Sequence, residues 1–123
     1  MKRIIVADDS ATARMFIKRC LQIIGLGDTD IVEAEDGKQA LDAAKAEATD
    51  LLLTDLNMPV MDGETLVKWV KASPKLAEMP IIVITSAGNP AKEAQLLELG
   101  AYRVINKPVS PPVMMDALAD FLD

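Results

Sequence analysis

Histidine is absent from this chain. Without an imidazole, most zinc sites, serine triads and histidine-based acid–base chemistry are removed together. Cysteine occurs once, at Cys20, so no internal disulfide can form, and this usage fits a reducing cytoplasm. Aromatic residues are few, with one Trp, one Tyr and two Phe. No apolar run approaches the ~20 residues that a membrane helix needs. Lys2-Arg3 is followed by only Ile4-Ile5-Val6-Ala7 before Asp8-Asp9 intervenes, which is too short for a secretory signal. Basic charge is also in deficit, with 13 Lys and Arg against 19 Asp and Glu and a net charge of −6. That balance disfavours a nucleic-acid partner, which would require a basic patch.

What is present suits a soluble domain. Half of the 123 residues are hydrophobic and 26% are charged, an ordinary globular balance. The length predicts a single domain spanning 1–123 that is able to bury a core. Met1 at the start and a regular helix at the end lead to the expectation of a complete chain. No repeat, low-complexity tract or linker interrupts it.

Short apolar runs alternate with longer segments of helical period, the rhythm of βαβ units and a parallel sheet in an α/β fold. The pattern predicts strands near 2–7, 30–34, 50–55, 80–85 and 102–106. Helices are predicted near 11–24, 37–47, 63–72, 90–99 and 111–122. In the first helix Ala13, Phe16, Ile17, Cys20, Leu21 and Ile24 form the apolar stripe, with Arg14, Lys18, Arg19 and Gln22 on the other side. Ser10 is its expected N-cap, and Gly25 or Gly27 its left-handed terminator. Asp36 with Gln39 resembles a capping box. Asn89-Pro90 and Ser110-Pro111 each set a capping side chain before a proline at the first helical position. In the last helix the expected stripe is Met114, Ala117, Leu118 and Phe121, with Met114 and Met115 as core filler or contact surface. The runs 51–54 and 81–85 are apolar without alternation, as in central strands covered on both faces.

The chemistry lies where these runs end. Asp8 and Asp9 follow the first strand, Asp55 the third, and Lys107 the fifth. Parallel strands bring their carboxyl ends to one edge, where such distant residues meet. Carboxylates about 4 Å apart repel by roughly 4 kcal/mol each at an effective dielectric near 20. A hard divalent cation such as Mg2+ removes that penalty with oxygen ligands, and a lysine beside it neutralises an incoming anion. Asp8-Asp9 alone would equally serve as the favoured acidic start of a helix. Asp55 carries more weight, because Leu56-Asn57-Met58-Pro59 and Asp62-Gly63 after it form a turn that exposes its carboxylate. Thr85 and Ser86 end the fourth run and offer hydroxyls to an anion held near Asp55. Lys107 precedes Pro108, and a cis bond there would set the direction of the lysine.

The set Asp8-Asp9, Asp55 with Asn57-Met58-Pro59 and Asp62-Gly63, Thr85, and Lys107-Pro108 resembles the CheY-like receiver domains of two-component response regulators. The likeness runs over essentially the whole chain and is closest to the chemotaxis branch. It implies a single (βα)5 doubly wound, flavodoxin-like parallel sheet in the order 2-1-3-4-5. It implies that Asp55 accepts a phosphoryl group from a histidine kinase or phosphotransfer protein. It further implies that Asp9 binds Mg2+ directly, that Asp8 does so mainly through water, and that the Asn57 carbonyl supplies another ligand. Thr85 and Lys107 would each meet a phosphoryl oxygen. The module would catalyse only its own phosphoryl transfer and dephosphorylation. It would bind a downstream protein through the face of the fourth helix, fifth strand and fifth helix, roughly 89 to 121.

Two positions depart from the family pattern. Many receivers carry an aromatic three residues before the lysine, where this chain has Val104. Tyr102 lies two residues earlier, at a spacing that predicts the same strand face and a partly buried aromatic. Ala87 cannot position a hydrolytic water, whereas Asn57 can. Three other readings share parts of the pattern. A haloacid-dehalogenase-like phosphatase also uses an aspartyl nucleophile, Mg2+ and a lysine, but places a second aspartate where Asn57 stands. A flavin module of the same topology would need a phosphate-cradling loop where this chain has carboxylates. A receiver-fold scaffold without phosphorylation would have no use for the acidic set.

Overall fold

The computed structural model describes residues 1–122. Five strands, β1 (Arg3–Ala7), β2 (Asp30–Ala34), β3 (Leu51–Thr54), β4 (Ile81–Thr85) and β5 (Arg103–Asn106), form one sheet. Its order is β2-β1-β3-β4-β5 and every pairing is parallel. Helices α1 (Ala11–Leu21), α2 (Gly37–Ala46), α3 (Gly63–Ala72), α4 (Pro90–Leu99) and α5 (Pro111–Ala117) connect and close it. The expected doubly wound α/β architecture is therefore the one observed.

The sheet separates two apolar layers. Ile5, Leu52 and Val83 point toward Ala40, Leu66, Val67, Val70 and Leu96 on α2, α3 and α4. Ile4, Val6, Leu51, Leu53, Ile82 and Ile84 point toward Ile17, Leu21, Met114 and Leu118 around α1 and α5. Both layers draw on β3 and β4, so neither strand can alternate with polar residues, and every residue of each is buried. Each buried Leu or Ile contributes roughly 2 kcal/mol.

The helix starts follow the capping chemistry. Side chains of Ser10, Asp36, Asp62, Asn89 and Ser110 accept from the backbone N–H three residues on. At α2 the reciprocal bond shifts by one residue, because Gln39 Oε1 accepts from the Glu35 N–H at 2.9 Å. At its other end, α2 lacks a left-handed terminator, and Arg3 Nη1 caps the carbonyls of Ala43 (3.0 Å) and Glu47 (3.1 Å).

Several expectations needed correction. α1 stops at Leu21 and runs into a π-helical turn, Gln22–Leu26, because Gly25 takes φ +100° while Gly27 stays right-handed. α5 ends at Ala117 and is followed by a 3-10 turn, Ala119–Phe121, in place of a helix to 122. Met114 is core, whereas Met115 is exposed. Phe16 was expected in the buried stripe but is 47% exposed, while Arg14 was expected outside and is buried. Periodicity cannot separate these neighbours, because Arg14 shares the Ile17–Leu21 line and its charge finds partners under the helix. Tyr102 precedes β5, exposed rather than partly buried, with its ring tilted against Phe121 at 5.0 Å and its hydroxyl donating to Asp120. Val104 packs against the α2–α4 layer, and together with Tyr102 it lines a surface groove beside Glu93 and Leu97 of α4, so the two residues share one side of the strand as their spacing predicts.

One residue is visibly strained. Val60 has φ +66° and is 79% exposed, while Met61 N–H bonds to the Pro59 carbonyl across it at 2.7 Å. A β-branched residue is disfavoured at positive φ. Nothing is gained by its side chain in return, because it packs on no core layer. Val60→Asn is expected to stabilise the protein by about 1 kcal/mol, raising Tm by about 4 °C. An unchanged or lowered midpoint in a thermal melt would count against the strain.

Candidate functional site

The register aligns Ala7 with Ala34 and Thr54, so Asp8 and Asp55 leave neighbouring strands at the same level. This is where the connections after β1 and β3 diverge to opposite faces of the sheet, the crevice in which open α/β sheets place ligands. Carboxylate oxygens of Asp8, Asp9 and Asp55 all lie within 4.8 Å of one another. Asp8 is 1% exposed and Asp55 9%, whereas Asp9 faces solvent.

Each buried carboxylate is held at both oxygens. Asp8 Oδ1 accepts from the Ser10 N–H at 2.9 Å, and Asp55 Oδ1 from the Leu56 N–H at 2.7 Å. Their Oδ2 atoms turn toward each other across Lys107 Nζ, which lies 2.8 Å from Asp8 and 3.3 Å from Asp55. Lys107 arrives from the end of β5, where its N–H donates to the Thr85 carbonyl at 2.9 Å, and its bond to Pro108 is cis. Burial pushes the Asp55 carboxyl above its ordinary range, with the Asp8 charge adding to it against the Leu56 hydrogen bond and Lys107. For Lys107 burial is the largest single influence and pulls down. The Asp8 hydrogen bond and the charges of Asp55 and Asp8 together outweigh it, so the ammonium is held above its usual range.

The remaining expected residues are placed less directly. Thr85 is fully buried at the end of β4, one strand beyond β3, and its hydroxyl accepts from the Ala87 N–H at 3.0 Å. Ser86 is exposed, as is Asn57. Among the described residues neither Thr85 nor Asn57 contacts a carboxylate of the cluster. Reading the sequence missed Arg14 at this edge. Its Nη1 donates to the Asp8 carbonyl at 2.5 Å and its Nε to Glu33 at 3.0 Å. The available signal was a cation near a helix N-terminus, where the dipole opposes it.

A donor set of carboxylate oxygens is the chemistry that a hard divalent cation takes. Three carboxylates against one ammonium leave a double negative charge that such a cation offsets. Asp8, Asp9 and Asp55 thus fit Mg2+ in kind and charge.

Comparison with known proteins identifies the family. The family described as response regulator receiver domain matches residues 4–119. The chain is 42% identical over 121 residues to the chemotaxis protein CheY homolog of Campylobacter jejuni, covering 98% of this chain and 92% of that one. It is 42% identical over 117 residues to chemotaxis protein CheY1 of Helicobacter pylori, covering 94% and 93%. Among solved structures, chemotaxis response regulator CheY4 of Vibrio cholerae matches with a TM-score of 0.86 at 30% identity over 99% of each chain. A likeness of this extent decides the family: the chain belongs to the response regulator receiver domains.

Proposed function

We propose that this receiver, taken as one unit over residues 1–123, accepts a phosphoryl group on Asp55 from a histidine kinase or phosphotransfer protein. It then signals by phosphorylation-dependent protein binding. The observation that carries this reading is Lys107 Nζ set between the Oδ2 atoms of Asp8 and Asp55. Chemotaxis is the pathway the relatives' names suggest. A receiver is a signalling module, not an enzyme turning over a pool of substrate. The phosphatase, flavin and scaffold readings lose ground to the family match and to the intact acidic edge.

The residues divide the work as follows. The Leu56 N–H anchors Asp55 Oδ1, which leaves Oδ2 as the oxygen facing the site. Oδ2 forms the new O–P bond as the donor's bond to phosphorus breaks, and the electron pair leaves with the donor. Lys107 neutralises the charge gathering on the phosphoryl oxygens, in the manner of a preorganised electrostatic clamp. Asp9, Asp8 and Asp55, with the Asn57 carbonyl, would hold Mg2+, which when bound offsets further charge on those oxygens. The acyl phosphate adds a charge of roughly −1.5 to −2 and three acceptor oxygens. Among the described residues the Thr85 hydroxyl oxygen only accepts, from Ala87, so its O–H can donate to one of those phosphoryl oxygens. Movement of that hydroxyl draws on the 86–89 loop and so on α4, which with β5 and α5 forms the surface assigned to the output partner.

Intact-mass analysis after incubation with acetyl phosphate tests this. One phosphoryl group should be added, requiring Mg2+, and Asp55→Ala should remove it. No addition to the wild type, with beryllofluoride also failing to bind so that rapid hydrolysis is excluded, overturns the assignment.

A further inference from the structure

Arg14 is a buried cation in the first turns of α1, its side chain only 10% exposed. The dipole at a helix N-terminus disfavours a positive charge, and burial of a guanidinium requires full pairing. Its pairing runs in two directions. Nε meets Glu33 of β2 at 3.0 Å, and Glu33 is also held by Lys18 at 3.2 Å. Nη1 donates to the main-chain carbonyl of Asp8 at 2.5 Å.

That carbonyl shares one rigid plane with the N–H of Asp9. Asp8 is otherwise pinned through its N–H to the Ala34 carbonyl at 3.0 Å, through Oδ1 to Ser10 and through Oδ2 to Lys107. Asp9 has no such support: among the described residues no group donates to its carboxylate. Its place within the cluster therefore comes from the backbone alone, and the peptide plane entering Asp9 is the one Arg14 holds. We propose that Arg14, braced by Glu33, is a positioning residue that fixes the Asp8–Asp9 peptide and so presents the Asp9 carboxylate for cation binding. The inference rests on the reading of the acidic edge as a Mg2+-assisted phosphoryl site. A merely structural role, tying α1 to β2, is the competing explanation.

Calorimetric titration of the full chain with Mg2+ separates the two. Arg14→Met keeps length and apolar packing but removes both donors, and is expected to weaken Mg2+ binding about tenfold, as loss of outer-shell support generally does. Arg3→Met is the control for stability: it removes a half-buried arginine, which caps α2 from the opposite end of β1. It should lower Tm while leaving the Mg2+ affinity of the wild type. Should Arg14→Met fail to fold, Glu33→Gln removes the charge of the brace and is expected to weaken binding by about threefold. Unchanged affinity in the Arg14 variant, or in Glu33→Gln where it stands in, overturns the proposal. So does an equal loss in Arg3→Met. A wild type that binds no Mg2+ overturns both this inference and the cation-assisted function. A wild type that binds Mg2+ yet takes no phosphoryl group overturns the function alone, and the affinities still decide the role of Arg14.

Discussion

Gly63→Ala is expected to destabilise the protein by about 3 kcal/mol, although alanine is the better helix former. Gly63 opens α3, and a Cβ there would lie 2.2 Å from the Asp55 carbonyl oxygen and 2.9 Å from the Leu56 Cα. Both neighbours are backbone, so no side chain can swing aside. The gain in helix propensity is about 1 kcal/mol at most and smaller at a helix start. Overlap at that separation exceeds it, so the sign is negative. Relief by movement would also break the Gly63 N–H bond to the Leu56 carbonyl, 2.8 Å long. It would tilt the Leu56 N–H that anchors Asp55 Oδ1. Tm should fall by about 10 °C, and the folded fraction should accept phosphoryl groups poorly. A variant melting within about 2 °C of wild type would refute the close approach.

Lys107→Met should leave two buried carboxylates facing each other without a cation. Removing one partner of a buried pair costs 3–5 kcal/mol in general. Lys107 is a quarter exposed, and solvent screening reduces the expectation to about 2 kcal/mol near neutral pH. The pH dependence has a definite sign. The Asp55 carboxyl is raised in the folded protein, chiefly by burial, so ionising it opposes folding. That penalty is absent below the unfolded value of about 3.9 and grows as pH rises through the folded value. Loss of Lys107 enlarges it. Lys107 itself has a raised value, so its stabilisation is complete below its unfolded value of about 10.4 and is lost only as pH rises through the folded one. The gap in Tm between wild type and variant should therefore be wide at pH 7 and close toward pH 4. An equal gap at both would exclude the carboxylate pair as its source. Labelling by acetyl phosphate should slow about a hundredfold, as when a preorganised charge-stabilising donor is removed.

Most of the architecture was legible because it is written in short-range terms. The N-caps at Ser10, Asp36, Asn89 and Ser110 act over three residues, so all four are readable from the sequence. The unalternated runs of β3 and β4 announced burial on both faces. Strand order came from the family likeness, since periodicity alone does not rank parallel strands. The clustering of Asp8, Asp9 and Asp55 followed from strand ends sharing an edge. The helix ends were less readable, because a π-helical turn and a 3-10 turn preserve an apolar stripe while changing the hydrogen bonding.

By itself, then, the sequence determined the alternation of elements, the two apolar layers and the kinds of charged group delivered to the sheet edge. These depend on period, capping and side-chain chemistry, all local properties. The tertiary structure alone decided which charges are buried and what they touch. Arg14 and Phe16 exchanged their expected places because Glu33, nineteen residues away, gives the guanidinium a partner beneath α1. Tyr102 stayed exposed beside Val104 and also reached Asp120 and Phe121, since the start of an edge strand lies open to solvent. Lys107 reached Asp8 across 99 residues of chain. Such contacts are settled by the competition among buried charges for the few partners that folding brings within reach.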